Sequence, residues 1–289
     1  MSILFGRTAR LVLASQLDPK KVKVGKHFFN AYTKRTIIEN LRIRFTVEKT
    51  LGKDPNSATI LVTNLAEKTR AEFETKPTHI TLSAGFDFKN KLLYKGDVKN
   101  AESFREGPDW ITQITCGTGQ HALSGARTSF SFGKGTSPAT MVDKVLKGMG
   151  LKMPTNFEEG KEFINTLSGK TISGPSVANV QKLVGPSYQF SIQDDVAVIL
   201  KENGVRFAAG TRVSQDTGMI GIPTLSPPKH KGGKPVVLCK TFINGDIQAG
   251  GFITLDTLTV NGDFKNAKVT HTGDTHGQEW YTSVEGPKV

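Results

Sequence analysis

Apolar and polar residues alternate most regularly between positions 41 and 50, where Leu41, Ile43, Phe45 and Val47 share one face and the opposite face is charged. A period of two is the mark of a strand with one wet side and one buried side. The same reading predicts a first strand over residues 8–17 and another over 58–63, after the turn residues Asp54-Pro55-Asn56-Ser57. Asn64 then stands as the N-cap of a short helix through Glu72, which Pro77 ends. A strand pair follows over 79–86 and 92–98, and a strand begun by Trp110 closes this part of the chain near Gly119.

Beyond residue 133 the period becomes helical. Ser137 as cap and Pro138 at the first helical position open a helix to Met149, stopped by Gly148 or Gly150, with Met141, Val142, Val145, Leu146 and Met149 as one apolar stripe. Further helices are predicted over 157–167 and 176–184, and two strands over 188–200 about a turn at Asp194-Asp195. In the last stretch, 254–286, Asn261-Gly262 reads as the tight turn of a hairpin, because this dipeptide tolerates positive φ. A polar turn over 271–277 leads to a final strand over 280–284.

Two stretches resemble one another. Gly96-Asp97 is followed by Trp110-x-Thr112, and Gly273-Asp274 by Trp280-x-Thr282, each ending near a glycine, Gly117 or Gly286. A repeated β-unit gives a mainly β fold with an α+β segment: two similar small β-barrel domains joined by a helical middle region. The expected divisions are 1–120, 121–200 and 201–289. Both tryptophans, set in alternating strands, are expected to pack in a barrel wall.

A chain of 289 residues, 37% hydrophobic with 30 glycines, is long enough for two domains and has the composition of a turn-rich globular protein. Its longest strongly apolar run, 196–200, is too short to cross a bilayer, and the apolar residues 11–14 make a poor signal-peptide core, so no membrane partner is expected. Cys116 and Cys239 sit in apolar strand-like runs and read as buried hydrophobes. The net charge of +12 is the compositional outlier; it is spread along the chain, permitting contact with nucleic acid without marking a footprint.

Candidate chemistry is sparse. His271, Asp274 and His276 form a compact metal-capable group, but in a glycine-rich turn without a fourth partner, so a hydrogen-bonded turn is expected. The acid pairs Glu158-Glu159 and Asp194-Asp195 are neighbours in sequence and do not face each other across a cleft as glycoside hydrolysis requires. Gly117-Thr118-Gly119 lacks the rest of a dinucleotide fingerprint. No catalytic residue, metal or cofactor is assigned.

Taken in order, NSATILVTNLAEKTRAEF, ITLSAGF, LLYKGDV and DWITQITCG resemble the amino-terminal barrel of bacteriophage tail baseplate hub proteins. The helices, Tyr188-x-Phe190-x-Ile192 with Asp194-Asp195, the stretch Asp216 to Pro223 (DTGMIGIP), and Gly273-Asp274-Thr275 with Trp280-x-Thr282 are similar to the middle and end of such hubs. Gln248-Ala249-Gly250-Gly251 departs from the family's Pro-Gly turn. The resemblance implies a structural, non-enzymatic hub of the virion, assembled in the host cytoplasm. It implies a homotrimer whose ring meets the tail tube or a tube initiator, the spike and other baseplate proteins, with DNA crossing the channel unbound. A basic β-barrel that binds nucleic acid, and a tail-associated cell-wall hydrolase, remain the alternatives.

Overall fold

The computed structural model describes residues 6–16, 32–52, 55–75, 78–87, 89–119, 125–151, 154, 169–201, 204–206, 209–228 and 233–289. In the amino-terminal part the elements are β1 (Arg7–Gln16), β2 (Tyr32–Ile38), β3 (Ile43–Thr50), β4 (Ser57–Thr63), α1 (Glu67–Thr75), β5 (Thr78–Phe86), β6 (Lys89–Glu106) and β7 (Asp109–Gly117). The middle holds β8 (Arg127–Phe132), α2 (Pro138–Gly148), β9 (Lys170–Pro175), α3 (Ser176–Val184), β10 (Tyr188–Gln193) and β11 (Val196–Lys201). The last part holds β12 (Thr211–Val213), β13 (Met219–Ser226), β14 (Val236–Phe242), β15 (Phe252–Asp256), β16 (Asn261–Lys265), β17 (Lys268–Asp274) and β18 (Trp280–Pro287).

Both ends of the chain enter one eleven-stranded sheet, ordered β13-β14-β18-β17-β3-β4-β7-β6-β5-β1-β2. Within it a four-strand pattern occurs twice. The hairpins β3–β4 and β6–β7 meet through their second strands, β4 against β7. The hairpins β13–β14 and β17–β18 meet in the same way, β14 against β18. The two arrays are joined by β17 and β3, antiparallel from Lys268↔Thr50 to Asp274↔Arg44. Strand β6 is long enough to serve two ladders: its first half pairs with β5 as far as Asp97, and its second half pairs with β7. The fold is therefore mainly β with a helical middle, and among the described residues the large sheet is open, with β2 and β13 at its edges.

Burial follows the alternation. Ile43, Phe45 and Val47 on β3 are buried with Ile60, Val62, Leu82, Leu93 and Ile114 in the first core. A second core joins Met141, Val142, Val145 and Leu146 of α2 to Val180, Leu183 and Val184 of α3 and to Phe190 and Ile199. The third lies between the β13-β14-β18-β17 array and the small β12-β15-β16 sheet, with Val237, Ile253, Leu255, Phe264 and Val284 buried. The cores interleave at the joint: Ile243 and Trp280 belong to the first, and Leu51 to the third.

Several local expectations change. Asn261-Gly262 is not the hairpin turn but the start of β16, opposite Asp256 and Leu255. The turn spans 257–260, where the Thr257 hydroxyl donates to Val260 O and accepts from Val260 N–H while Thr257 N–H donates to Asn261 Oδ1, leaving Leu258 94% exposed. Asn64 does not cap α1, which begins at Glu67; its side chain accepts from Trp110 N–H and donates to Asp109 Oδ1, tying β4 to β7. Ser137 does cap α2, accepting from Thr140 N–H. The helix expected over 157–167 and the ending at Pro77 lie outside the described residues.

Candidate functional site at the seam between the two strand arrays

The β17·β3 joint gathers most of the residues that the second motif singles out. Gly273 on β17 lies opposite Phe45 on one side and Trp280 on the other. A Cβ at Gly273 would stand 2.4 Å from Phe45 Cζ and 2.8 Å from Trp280 Cε3. Its absence lets the Trp280 ring meet Phe45 edge to face at 5.6 Å, with Phe86 at 6.4 Å. Trp280 is buried, so this aromatic cluster of β3, β5 and β18 pins both arrays to one core.

Polar groups hold the same joint. Arg42 grips Asp274 with two hydrogen bonds, Nε to Oδ1 at 3.2 Å and Nη2 to Oδ2 at 2.7 Å, and His276 N–H adds a third at 2.9 Å. Burial alone would raise the Asp274 carboxyl, but these donors outweigh it and hold it below its ordinary range. Thr275 and Ile43 exchange bonds beside them, with Ile43 N–H donating to Thr275 Oγ1 and Thr275 N–H to Ile43 O. On the core side His271 is fully buried, its Nδ1 2.9 Å from Thr282 Oγ1, which also accepts from Asn244 N–H. Burial, aided by the charge of Lys49, pushes His271 down to about 3. His271, Asp274 and His276 thus serve three different partners, and among the described residues no group of three or more His, Cys, Asp or Glu is placed to hold a metal.

The middle unit enters through the β10–β11 turn. Asp194 and Asp195 both have positive φ, 51° and 65°, as the tight two-residue turn between Gln193 and Val196 requires. Asp194 Oδ2 takes Lys49 Nζ at 2.6 Å and Oδ1 takes Lys95 N–H; Asp195 Oδ2 meets His79 Nε2 at 2.7 Å and Lys95 Nζ at 3.3 Å. Burial opposes ionisation of Asp195, yet His79 and Lys95 bring its pKa below the usual value. Asn56 donates to Gln193 Oε1, and Gln193 Nε2 donates to Thr50 O. Lys49 also donates to Gln248 Oε1, so one fully buried ammonium ties β3, the middle unit and the 248–251 turn. That turn, closed by Gly251 N–H to Gln248 O with Gly250 at φ 85°, occupies the place of the expected Pro-Gly. With cations and N–H groups satisfying both acids, the cluster is a lock between units rather than a proton-transfer site.

Lys49, Asn56 and Gln193 escape the sequence reading. The available signal was parity: Lys49 continues the inward series Ile43, Phe45, Val47, against the expectation that charge lies only on the opposite face of this strand.

The first motif is distributed otherwise. Gly96 lies opposite Ile80, where a Cβ would come within 2.6 Å of Tyr94 Oη. Asp97 pairs with Gly117, at the far end of the hairpin from Trp110, whereas Gly273 directly faces Trp280. Thr112 is buried and 3.1 Å from Ser103 Oγ, as Thr282 is buried against His271. Trp110 is half-buried, with the Arg70 guanidinium 4.3 Å and that of Arg105 5.4 Å from its ring centre.

Solved structures share this fold. The 43 kDa tail protein of prophage MuSo2 from Shewanella oneidensis matches with a TM-score of 0.62 at 9% identity, covering 96% of each chain. A tail protein from Neisseria meningitidis MC58 matches with 0.62 at 8% identity, covering 98% of this chain and 97% of that one. The E. coli c3393 protein, described as a type VI secretion component similar to the T4 tail proteins gp27 and gp5, gives 0.54 at 10% identity over 86% and 73%. At these identities the likeness establishes the fold. No curated protein sequence matches the chain. A family model described as Baseplate hub gp41 matches residues 22–286, nearly the full length over which the doubled sheet and its seam are built, and the chain belongs to that phage tail baseplate family.

Proposed function

We propose that three copies of the chain close into a ring in the phage baseplate, between the tail tube, or a protein that initiates it, and the central spike, inside the other baseplate proteins. The observation that carries this reading is the repeated array: β3-β4-β7-β6 and β13-β14-β18-β17 have one topology and lie side by side in one sheet. Each array with its backing strands acts as a tube-like, barrel-like unit, so three chains offer six similar positions to a six-fold tube and keep three-fold symmetry for a spike. The three cores support divisions at about residues 120 and 200, with the helical segment set between the two β-units.

The internal joint also supplies a rule for the external one. β17·β3 sets the last strand of one array against the first of the other. The corresponding strands at the outer ends are β6, which beyond Asp97 pairs, among the described residues, with β7 alone, and β13, which among the described residues pairs with β14 alone. Pairing β6 of one copy with β13 of the next repeats the internal contact and closes the ring. A bulge between Ile220 and Thr224 bends the β13 edge, and Ile222 stands 76% exposed there.

Size-exclusion chromatography with light scattering tests the reading. The expected species is a trimer, and Ile222→Lys is expected to give monomers with an unchanged melting temperature; a wild-type chain that stays monomeric both in solution and in isolated tails would overturn it. The net charge of +12 favours one second reading, a monomer that binds nucleic acid, which predicts salt-sensitive retention of duplex DNA instead. Function in the hub reading lies in assembly in the virion, with DNA passing unbound and no reaction catalysed.

A further inference from the structure

Strand β2 covers only part of the β1 edge. Its pairing with β1 runs from Tyr32↔Gln16 to Ile38↔Leu11, whereas β5 accompanies β1 as far as Arg7. After Ile38 the chain turns through Glu39 and Asn40, the latter at φ 61°, into β3. Among the described residues, 7–10 of β1 therefore pair on one side alone, and a notch of about 440 Å³ lies beside them. Arg7, Thr8 and Asn90 line one wall, the turn at 39–41 a second, and Thr275 and His276, from the turn after β17, a third.

These walls are fixed by their own hydrogen bonds. Arg7 donates from Nη1 to Gly277 O, tying β1 to the third wall. Thr275 Oγ1 accepts from Ile43 N–H, and His276 N–H donates to Asp274 Oδ1, so that turn is fastened to β3 and to the Arg42–Asp274 pair. The Thr8 hydroxyl donates to Asn90 Oδ1 at 2.7 Å, which occupies the acceptor of that amide and leaves its Nδ2 group to donate.

Charge at the notch is one-sided. Glu39 is the sole acid among the lining residues, and Arg10 holds it at 3.0 Å. Asp274, behind the third wall, is already bound by Arg42. Arg7 is half-buried, gives one N–H to a backbone carbonyl and has no carboxylate partner among the described residues.

We infer that the notch receives an acidic side chain carried on an extended segment of another protein. The guanidinium fork of Arg7 matches the two oxygens of a carboxylate, with Asn90 and His276 beside it as further donors. The unpaired edge at 7–10 offers backbone N–H and C=O groups to an extended chain, which is why a protein segment fits better than a small free acid. Walls fixed in advance keep the ordering cost of binding low. The inference stands on the notch alone and does not depend on the ring.

Nuclear magnetic resonance of the full isotope-labelled chain tests it, with three probes: a capped tripeptide with aspartate at its centre, the same peptide with asparagine, and acetate. The aspartate peptide is expected to shift the signals of Thr8, Asn90 and His276 saturably and to bind at least roughly tenfold more tightly than the asparagine peptide. Arg7→Gln is expected to remove that preference. Asn90→Asp keeps an acceptor for the Thr8 hydroxyl while placing a repelling charge in the notch, and is expected to remove it as well with the fold intact. Equal binding of the two peptides, no saturable shift at these residues, or wild-type affinity in the Asn90→Asp variant overturns the inference. Acetate binding as tightly as the aspartate peptide overturns the protein-segment occupant, because the strand edge would then contribute nothing.

Discussion

A missing methyl group decides where Trp280 lies. Gly273 leaves the space in which Phe45 and Trp280 meet, and both rings close the joint between the arrays. Trp280→Ala is expected to cost about 3–5 kcal/mol in chemical denaturation, as large aromatic truncations in a core do. Trp110→Ala, which removes a half-buried ring stacked under two arginines, is expected to cost about 1 kcal/mol or less. Equal losses would show that the two tryptophans play one role after all. His271 gives a pH signature. Its ordinary value of 6.5 falls to about 3 in the fold, so between these values the unfolded chain binds the proton and the folded one does not. The stabilisation is complete above about pH 6.5 and is lost as pH falls toward 3, on the order of 5 kcal/mol over the whole range. Denaturation between pH 7 and 4 is expected to show this slope, and His271→Gln to flatten it.

At the scale of elements, legibility followed how local the cause is. Alternation in β3, the Ser137 cap with Pro138 on α2, and the Asp194-Asp195 turn depend on neighbours in sequence, and all appear where the pattern placed them. The turn at 257–260 was misread because Thr257 and Asn261 close it with side-chain bonds that outrank the usual preference of Asn-Gly. Lys49 was misread because an inward ammonium makes sense only once Asp194, from a different unit, arrives beside it. Burial lowers the Lys49 pKa while Asp194 opposes the change. Lys49→Met is therefore expected to destabilise by on the order of 3 kcal/mol, since it leaves the largely covered Asp194 carboxylate without its cation. Adding Asp194→Asn, which can keep the bond from Lys95 N–H, is expected to recover most of the loss in the same urea titration.

For the whole molecule, the duplicated unit was visible in short motifs, but its geometry was not. Gly96-Asp97 and Gly273-Asp274 occupy different places along their hairpins, and the correspondence lies instead in how β6–β7 and β17–β18 meet β4 and β14. Topology arises from contacts far apart in sequence, which a pattern of a few residues cannot encode. The interleaved cores bear on folding. With Trp280 in the first core and Leu51 in the third, the two arrays are expected to unfold in one calorimetric transition. A chain cut after residue 120 loses the ring that fills the space beside Phe45, and is expected to lack a cooperative transition.

Strand β6 carries a mechanical implication. It runs unbroken from the β5 ladder into the β7 ladder, and its pairing slips once on each side, near Leu82/Ser83 and near Val98/Asn100. Those two irregularities are where a shear between the outer flap of β5, β1 and β2 and the rest of the sheet concentrates, much as a beam shared by two panels flexes at its notches. Load applied to the flap therefore reaches the β7 ladder along covalent backbone, with hydrogen bonds near the notches as the first to give.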